Sequence, residues 1–291
     1  MVIQQRRRIK PKLGRRTPTH DPNVLRHFQA RPTDTFISTP PKAGTTWMQQ
    51  ILHQLRSGGD AEFRSIEDVV PWLELPHRGT SWQEQLSGFE RMPDPRIFKT
   101  HCSYGQTPWT GWARFIVISR DPRDCCVSHY HHVLNLTNAT RKAGHVTLPE
   151  SFEQFLHAWT RDGTWFRHTS SWWRHVGDRN VLWLRYEDLV TDLDTALDRI
   201  LNFLNWSVTT SQRDRITRYC SFAWMQEHCV KFTPSDSQGR PVFRGTGLLR
   251  KGIIGDHSST MSAAQSEIIL QLARKTLKPD CLALLGLGEP A

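Results

Sequence analysis

Thr39-Pro40-Pro41-Lys42-Ala43-Gly44-Thr45-Thr46-Trp47 follows a short β-like run, Asp34 to Ser38. It opens an apolar-periodic segment carrying Met48, Ile51, Leu52 and Leu55. A strand, a tight glycine-bearing loop and a helix start make an anion site. Backbone N–H groups of the loop and first turn converge on one point with partial positive charge. Lys42 adds a full charge, Thr45 and Thr46 add hydroxyl donors, and two prolines stiffen the approach. The order differs from a Walker A loop, where Lys directly precedes the Ser or Thr that holds Mg²⁺. Here Lys42 precedes Gly44 and the first glycine is missing, so the parts suggest a phosphate cradle without a built-in metal ligand. On this stretch alone, an ordinary βα turn with a surface lysine remains open.

Further motifs follow in order. Lys99-Thr100-His101 comes after a β run beginning Arg96-Ile97-Phe98. Arg120 and Ser128 flank Asp121-Pro122-Arg123-Asp124. Later stand Tyr186-Glu187-Asp188-Leu189, then Arg250-Lys251-Gly252 leading to Gly255-Asp256. Taken together from about Thr35 to about Asp256, this set resembles the cytosolic-type sulfotransferases that use 3′-phosphoadenosine 5′-phosphosulfate (PAPS). The resemblance implies sulfuryl transfer to an acceptor hydroxyl or amine of a small molecule, releasing adenosine 3′,5′-bisphosphate.

The resemblance also implies roles. Lys42, Ala43, Gly44, Thr45, Thr46 and Trp47 would hold the 5′-phosphosulfate end, with Lys42 meeting charge that builds on the departing phosphate. His101 would be the general base, since an imidazole near neutrality can take a hydroxyl proton. Lys99 would assist at the transferring oxygens. Arg120 and Ser128 would take the 3′-phosphate from one side, and Arg250, Lys251 and Gly252 from the other. Trp47, Tyr186, Ser221 and Phe222 would contact the adenine. No metal is expected, because a sulfo group carries less charge than a terminal phosphate. The chain departs from the family pattern at Ala43, where members carry Ser, and at Cys220, where they carry Thr. The family's dimer motif before Arg250 is not found, which leaves the oligomeric state open.

Composition sets the bounds. With 38 Lys and Arg against 28 Asp and Glu, the formal charge of +10 suits an anionic ligand, nucleic acid or an acidic surface equally. Much of the excess lies in Arg6-Arg7-Arg8, Lys10, Lys12, Arg15 and Arg16. Residues 1–33 are read as a basic, mobile arm before a domain spanning 34–291. No apolar core follows these arginines as in a secretory signal, and no run of about 18 apolar residues occurs. A cytoplasmic chain without a membrane span is the expectation. The six cysteines form no Cys-x-x-Cys pair, so reduced thiols are expected. His129, His131 and His132 lack metal-binding spacing and read as the crevice-facing side of a helix.

Apolar β-like runs at Thr35–Ser38, Arg96–Thr100, Arg114–Ser119 and Val181–Leu184 alternate with helical patterns. The clearest helix runs from Asp192 to Leu204, with Asn205 as its stop, and Ser262 to Gln265 reads as a capping box. Such alternation predicts one α/β domain, a central parallel sheet flanked by helices with a P-loop-like phosphosulfate loop. Long loops are expected over 57–95, 136–149 and 230–248. Trp72, Trp82, Trp109 and Trp112 could line an acceptor pocket or pack internally. Two rival readings remain: a P-loop kinase, and a non-catalytic nucleotide or nucleic-acid binder on the same fold.

Overall fold

The computed structural model describes residues 12–77, 79–107, 111–236, 239–245 and 247–288. Four strands form its sheet: β1 (Thr35–Ser38), β2 (Ile97–Thr100), β3 (Arg114–Ser119) and β4 (Val181–Arg185). Their order is β2-β1-β3-β4, and every pairing is parallel. The four expected runs thus became strands within a residue of the predicted ends. β1 and β2 are buried along their whole length, as a sheet covered on both faces requires. One face packs Phe36, Phe98, Phe115 and Trp172 in a single cluster. The other packs Ile37, Ile97, Ile116 and Leu184 against the Thr45–Ser57 and Leu193–Leu204 helices.

Short polar caps fix the helices. Asp121 accepts from the Arg123 N–H, and Pro122 opens the Pro122–Leu134 helix as expected. The Leu193–Leu204 helix ends on Asn205 at φ 55°, and Ser262 with Gln265 closes a capping box on the Ala263–Thr276 helix. Two of the predicted loops hold helices instead. Ser81 and Glu84 form a capping box that starts Trp82–Glu90, and Thr137 caps Asn138–Gly144. The caps sit in plain view in the sequence, but the helices are too short for apolar periodicity to show.

The N-terminal expectation also needs correcting where the chain is described. Pro22–His27 is a helix whose Val24 and Leu25 are fully buried, and Leu13 is buried too. Leu13 and the Asp21–Phe28 stretch are therefore packed on the domain, residues 14–19 between them are exposed, and residues 1–11 lie outside the described residues. A buried ion pair anchors this end. Arg96 donates from Nε and Nη2 to the two Asp34 oxygens at 2.8 and 2.6 Å, and both side chains are fully buried. Nη2 of Arg96 also bonds the Gln29 carbonyl, so one guanidinium ties β1, β2 and the N-terminal segment.

Among the described residues no helix is long and apolar enough to cross a membrane. All six cysteines are free; five are buried and Cys229 is partly exposed.

Candidate active site

The site forms beyond the carboxyl ends of β1, β2, β3 and β4, where open parallel sheets bind ligands. The chain leaves β1 through Thr39 and turns at Lys42 (φ 73°) and Gly44 (φ 99°), then enters the Thr45–Ser57 helix. Gly44 is required twice over. Its φ lies in the left-handed region, and an added Cβ would stand 2.7 Å from Cδ2 of Tyr186. Ala43 is fully buried, and the Thr45 hydroxyl is spent inside the loop on the Thr39 hydroxyl at 2.6 Å. Thr46 remains partly exposed at the helix start.

His101 follows the end of β2. Its backbone N–H donates to Glu74 Oε1 at 2.8 Å, and its Nδ1 lies 2.8 Å from the Thr39 carbonyl. A carbonyl only accepts, so Nδ1 carries the proton and Nε2 keeps its lone pair. Burial, reinforced by the Lys99 and Lys42 charges, lowers the His101 pKa to about 4. The ring is therefore neutral at physiological pH. Burial, reinforced by Arg120, likewise lowers Lys42 to about 8, and Lys42 Nζ lies 3.2 Å from His132 Nδ1. Lys99 Nζ is 2.5 Å from Glu67 Oε1 and 4.9 Å above the Trp72 ring. Trp72 in turn meets the His101 ring edge-on at 4.8 Å.

Arg120, at the end of β3, sits 4.2 Å above the Tyr186 ring and donates to the Lys42 and Ile253 carbonyls. Its Nε is buried without a hydrogen-bond partner. Ser128 lies two turns along the helix that follows. Trp47 donates its indole N–H to the Cys220 carbonyl at 2.8 Å and meets Tyr186 edge-on. The Ser221 hydroxyl caps the Phe222–Glu227 helix. Gly252 (φ 67°) passes so close to Phe222 that a Cβ would stand 2.6 Å from its ring. Arg250 and Lys251 both pair with Asp256, which in turn follows Gly255.

Contacts thus join Lys42, Gly44, Trp47, Arg120 and Tyr186, bring Gly252 against Phe222, and tie His101 to Thr39 and, through Trp72, to Lys99; none of these contacts includes Ser128. Of the tryptophans considered for an acceptor pocket, Trp72 is at the site. Trp82 stacks on His27, Trp112 is largely exposed, and Trp109 lies outside the described residues.

A sulfotransferase-domain profile matches residues 32–279. Human sulfotransferase 1C2 is 30% identical over 266 residues, covering 87% of this chain and 86% of its own. Human sulfotransferase 1E1 is 32% identical over 253 residues, covering 82% of each. This chain belongs to the sulfotransferase family. It is an enzyme of sulfuryl transfer, and the kinase and pure-binder alternatives gain no support. In structure, this sulfotransferase resembles the mouse sulfotransferase SULT7A1 complexed with PAP, with a TM-score of 0.72 at 25% identity over 91% of each chain. Retinol dehydratase shares the fold, with a TM-score of 0.72 at 21% identity over 88% of this chain and 83% of its own.

Sequence reasoning missed several of this sulfotransferase's site residues. Glu74 carries the His101 N–H. Asp124 accepts from the Gly255 and His257 N–H groups and from the His257 ring at 2.8–3.0 Å. Burial alone would raise the Asp124 pKa; His257, Arg120 and the Gly255 N–H outweigh it and lower it to about 2. The clue for Asp124 was its place four residues after Arg120, in the first turn of the helix that follows, where its carboxylate lies 3.6 Å from the guanidinium.

Proposed function

We propose that this sulfotransferase moves a sulfuryl group from PAPS to a hydroxyl, or an amine, of a small-molecule acceptor, with His101 as base. The observation that carries this reading is the His101 tautomer. The Thr39 carbonyl fixes the proton on Nδ1, and Thr39 is also the residue that opens the phosphosulfate loop. Base and cradle are thereby built on one backbone.

His101 Nε2 takes the acceptor's proton as the acceptor oxygen attacks sulfur. The bond between sulfur and the bridging phosphate oxygen breaks in line, and its electron pair leaves with adenosine 3′,5′-bisphosphate. Lys42, the N–H groups of Gly44 through Trp47 and the Thr46 hydroxyl meet that growing charge, while the Ala43 N–H is held by the Pro40 carbonyl. Thr45 serves through its backbone, because its hydroxyl is spent on Thr39. Lys99 bears on the transferring oxygens while Glu67 fixes its position. The 3′-phosphate fits Arg120, with its unspent Nε, together with Ser128, Arg250, Lys251 and the Gly252 backbone. There it replaces Asp256 as partner of two cations. Trp47, Tyr186 and Phe222 offer rings to the adenine, with Ser221 at their edge. The chemistry asks for no metal, since cations of the chain surround the phosphosulfate. A cytoplasmic location agrees with six free thiols.

Titration calorimetry with adenosine 3′,5′-bisphosphate tests the site. Tight binding with adenosine 5′-monophosphate clearly weaker is expected. Equal affinities would remove Arg120, Ser128 and Arg250 from their assigned role. A screen of phenols, alcohols, steroids and amines with labelled PAPS then identifies the acceptor. Turnover is expected to survive EDTA.

A further inference from the structure

The geometry points to His132 as a positioning residue for Lys42: its Nδ1 accepts a proton of the lysine ammonium and holds that charge over the phosphosulfate loop. The inference rests on the reading of Lys42 as the cation that meets the departing phosphate.

The bond spans 3.2 Å. An ammonium has no lone pair, so the lysine donates, Nδ1 accepts and Nε2 carries the ring proton. His132 stands in the last turn of the Pro122–Leu134 helix, which starts two residues after Arg120. Its ring packs against that of Phe243, with centroids 4.6 Å apart. Phe243 bridges to Leu136, while the Thr137 N–H bonds the Val242 carbonyl and the Arg244 N–H bonds the Asn135 carbonyl. The 242–244 segment is thus laced to the helix end and fixes the ring that fixes the lysine.

Lys42 needs such a partner. It is a flexible four-carbon stem, and Arg120, Arg250 and Lys99 lie near enough to repel it. A carboxylate could hold it, but would cancel the charge that the phosphate requires and compete with that phosphate. A neutral imidazole holds the ammonium and leaves its charge whole. Burial keeps His132 neutral and so available as an acceptor. His129 adds no competing charge, being buried and neutral as well, with its ring 6.0 Å away.

The test is a double-mutant cycle on His132 and Lys42. Its readouts are steady-state kinetics with PAPS varied and calorimetric binding of adenosine 3′,5′-bisphosphate. His132→Phe keeps a ring against Phe243 but loses the acceptor. Its kcat/KM should fall roughly tenfold, the scale of one hydrogen bond to a charged group. The kcat should carry most of that loss. His132→Gln, which keeps an acceptor, should recover most of it. In a Lys42→Ala background His132→Phe should change nucleotide binding no further. Wild-type kinetics in His132→Phe, equal losses in the Phe and Gln variants, or an undiminished effect in the Lys42→Ala background would overturn the inference. Full activity of Lys42→Ala alone would instead overturn the assignment of Lys42. Should His132→Phe fail to fold, the Gln variant and His132→Ala complete the cycle.

Discussion

Two residues carry opposite demands at this site, and pH separates them. As the proposed base, His101 must be neutral to take a proton, and burial keeps it so down to about 4. As the proposed cation of the cradle, Lys42 must be charged, and burial brings its loss of charge down to about 8. The kcat/KM profile should therefore be flat through the ordinary histidine range and fall above about 8. An acid limb centred near 6.5 would contradict the His101 assignment. His101→Ala should lower kcat by roughly 10²-fold while leaving affinity for adenosine 3′,5′-bisphosphate intact. Wild-type turnover in the folded variant would remove it as base. The sequence revealed both residues because each lies in a short contiguous motif. It could not show that Thr39 sets the His101 tautomer, since that contact joins residues 62 positions apart.

At the scale of elements, Asp124 joins the Pro122–Leu134 helix to the Gly255–His257 turn. Its two oxygens accept from two backbone N–H groups and one imidazole, and Arg120 lies 3.6 Å off. Asp124→Ala would strand all of them, at a cost of about 3 kcal/mol. The segment bearing Arg250 and Lys251 would then lose its anchor. The expected outcome is a lower urea midpoint together with weaker adenosine 3′,5′-bisphosphate binding. A variant that melts like wild type and binds like it would refute the clamp. Strands were legible as continuous apolar runs and long helices by their apolar period, both imposed by burial. Asp124 and His257 were not, because 133 residues separate them and neither sits in an apolar pattern. Likewise His132 was placed on the crevice side of its helix, but nothing local to it named Lys42.

Across the whole molecule, two ionic features set stability. Arg96 and Asp34 are fully buried and bound through two hydrogen bonds. Asp34→Ala leaves the buried guanidinium with only the half-exposed Glu90 as a charged partner, which costs about 3 kcal/mol. Denaturant unfolding should show that loss; a change confined to the experimental error would mean that the Gln29 and Phe89 carbonyls suffice. The second feature is a set of enclosed histidines, His53 and His168 fully buried and His101 and His129 partly so. His53, His101 and His129 are lowered to about 4 and His168 to about 3, in each case chiefly by burial. Their folded pKa values lie below the unfolded value of 6.5, so below that pH the unfolded chain binds more protons. Stability should then be level above the histidine range and fall steadily as pH drops from 6.5 toward 4. A melting temperature independent of pH over that interval would contradict the burial of these rings.

The distribution of thiols also has a practical use. Five cysteines are sealed in the interior and only Cys229 reaches the surface. It stands at the start of the Cys229–Phe232 turn, directly before the 230–248 segment that carries Phe243 and then runs on to Arg250. Under native conditions a thiol reagent should modify one site rapidly and the other five only on unfolding. A fluorophore placed there would need no cysteine removal, and would report in real time how that segment responds as nucleotide enters and leaves.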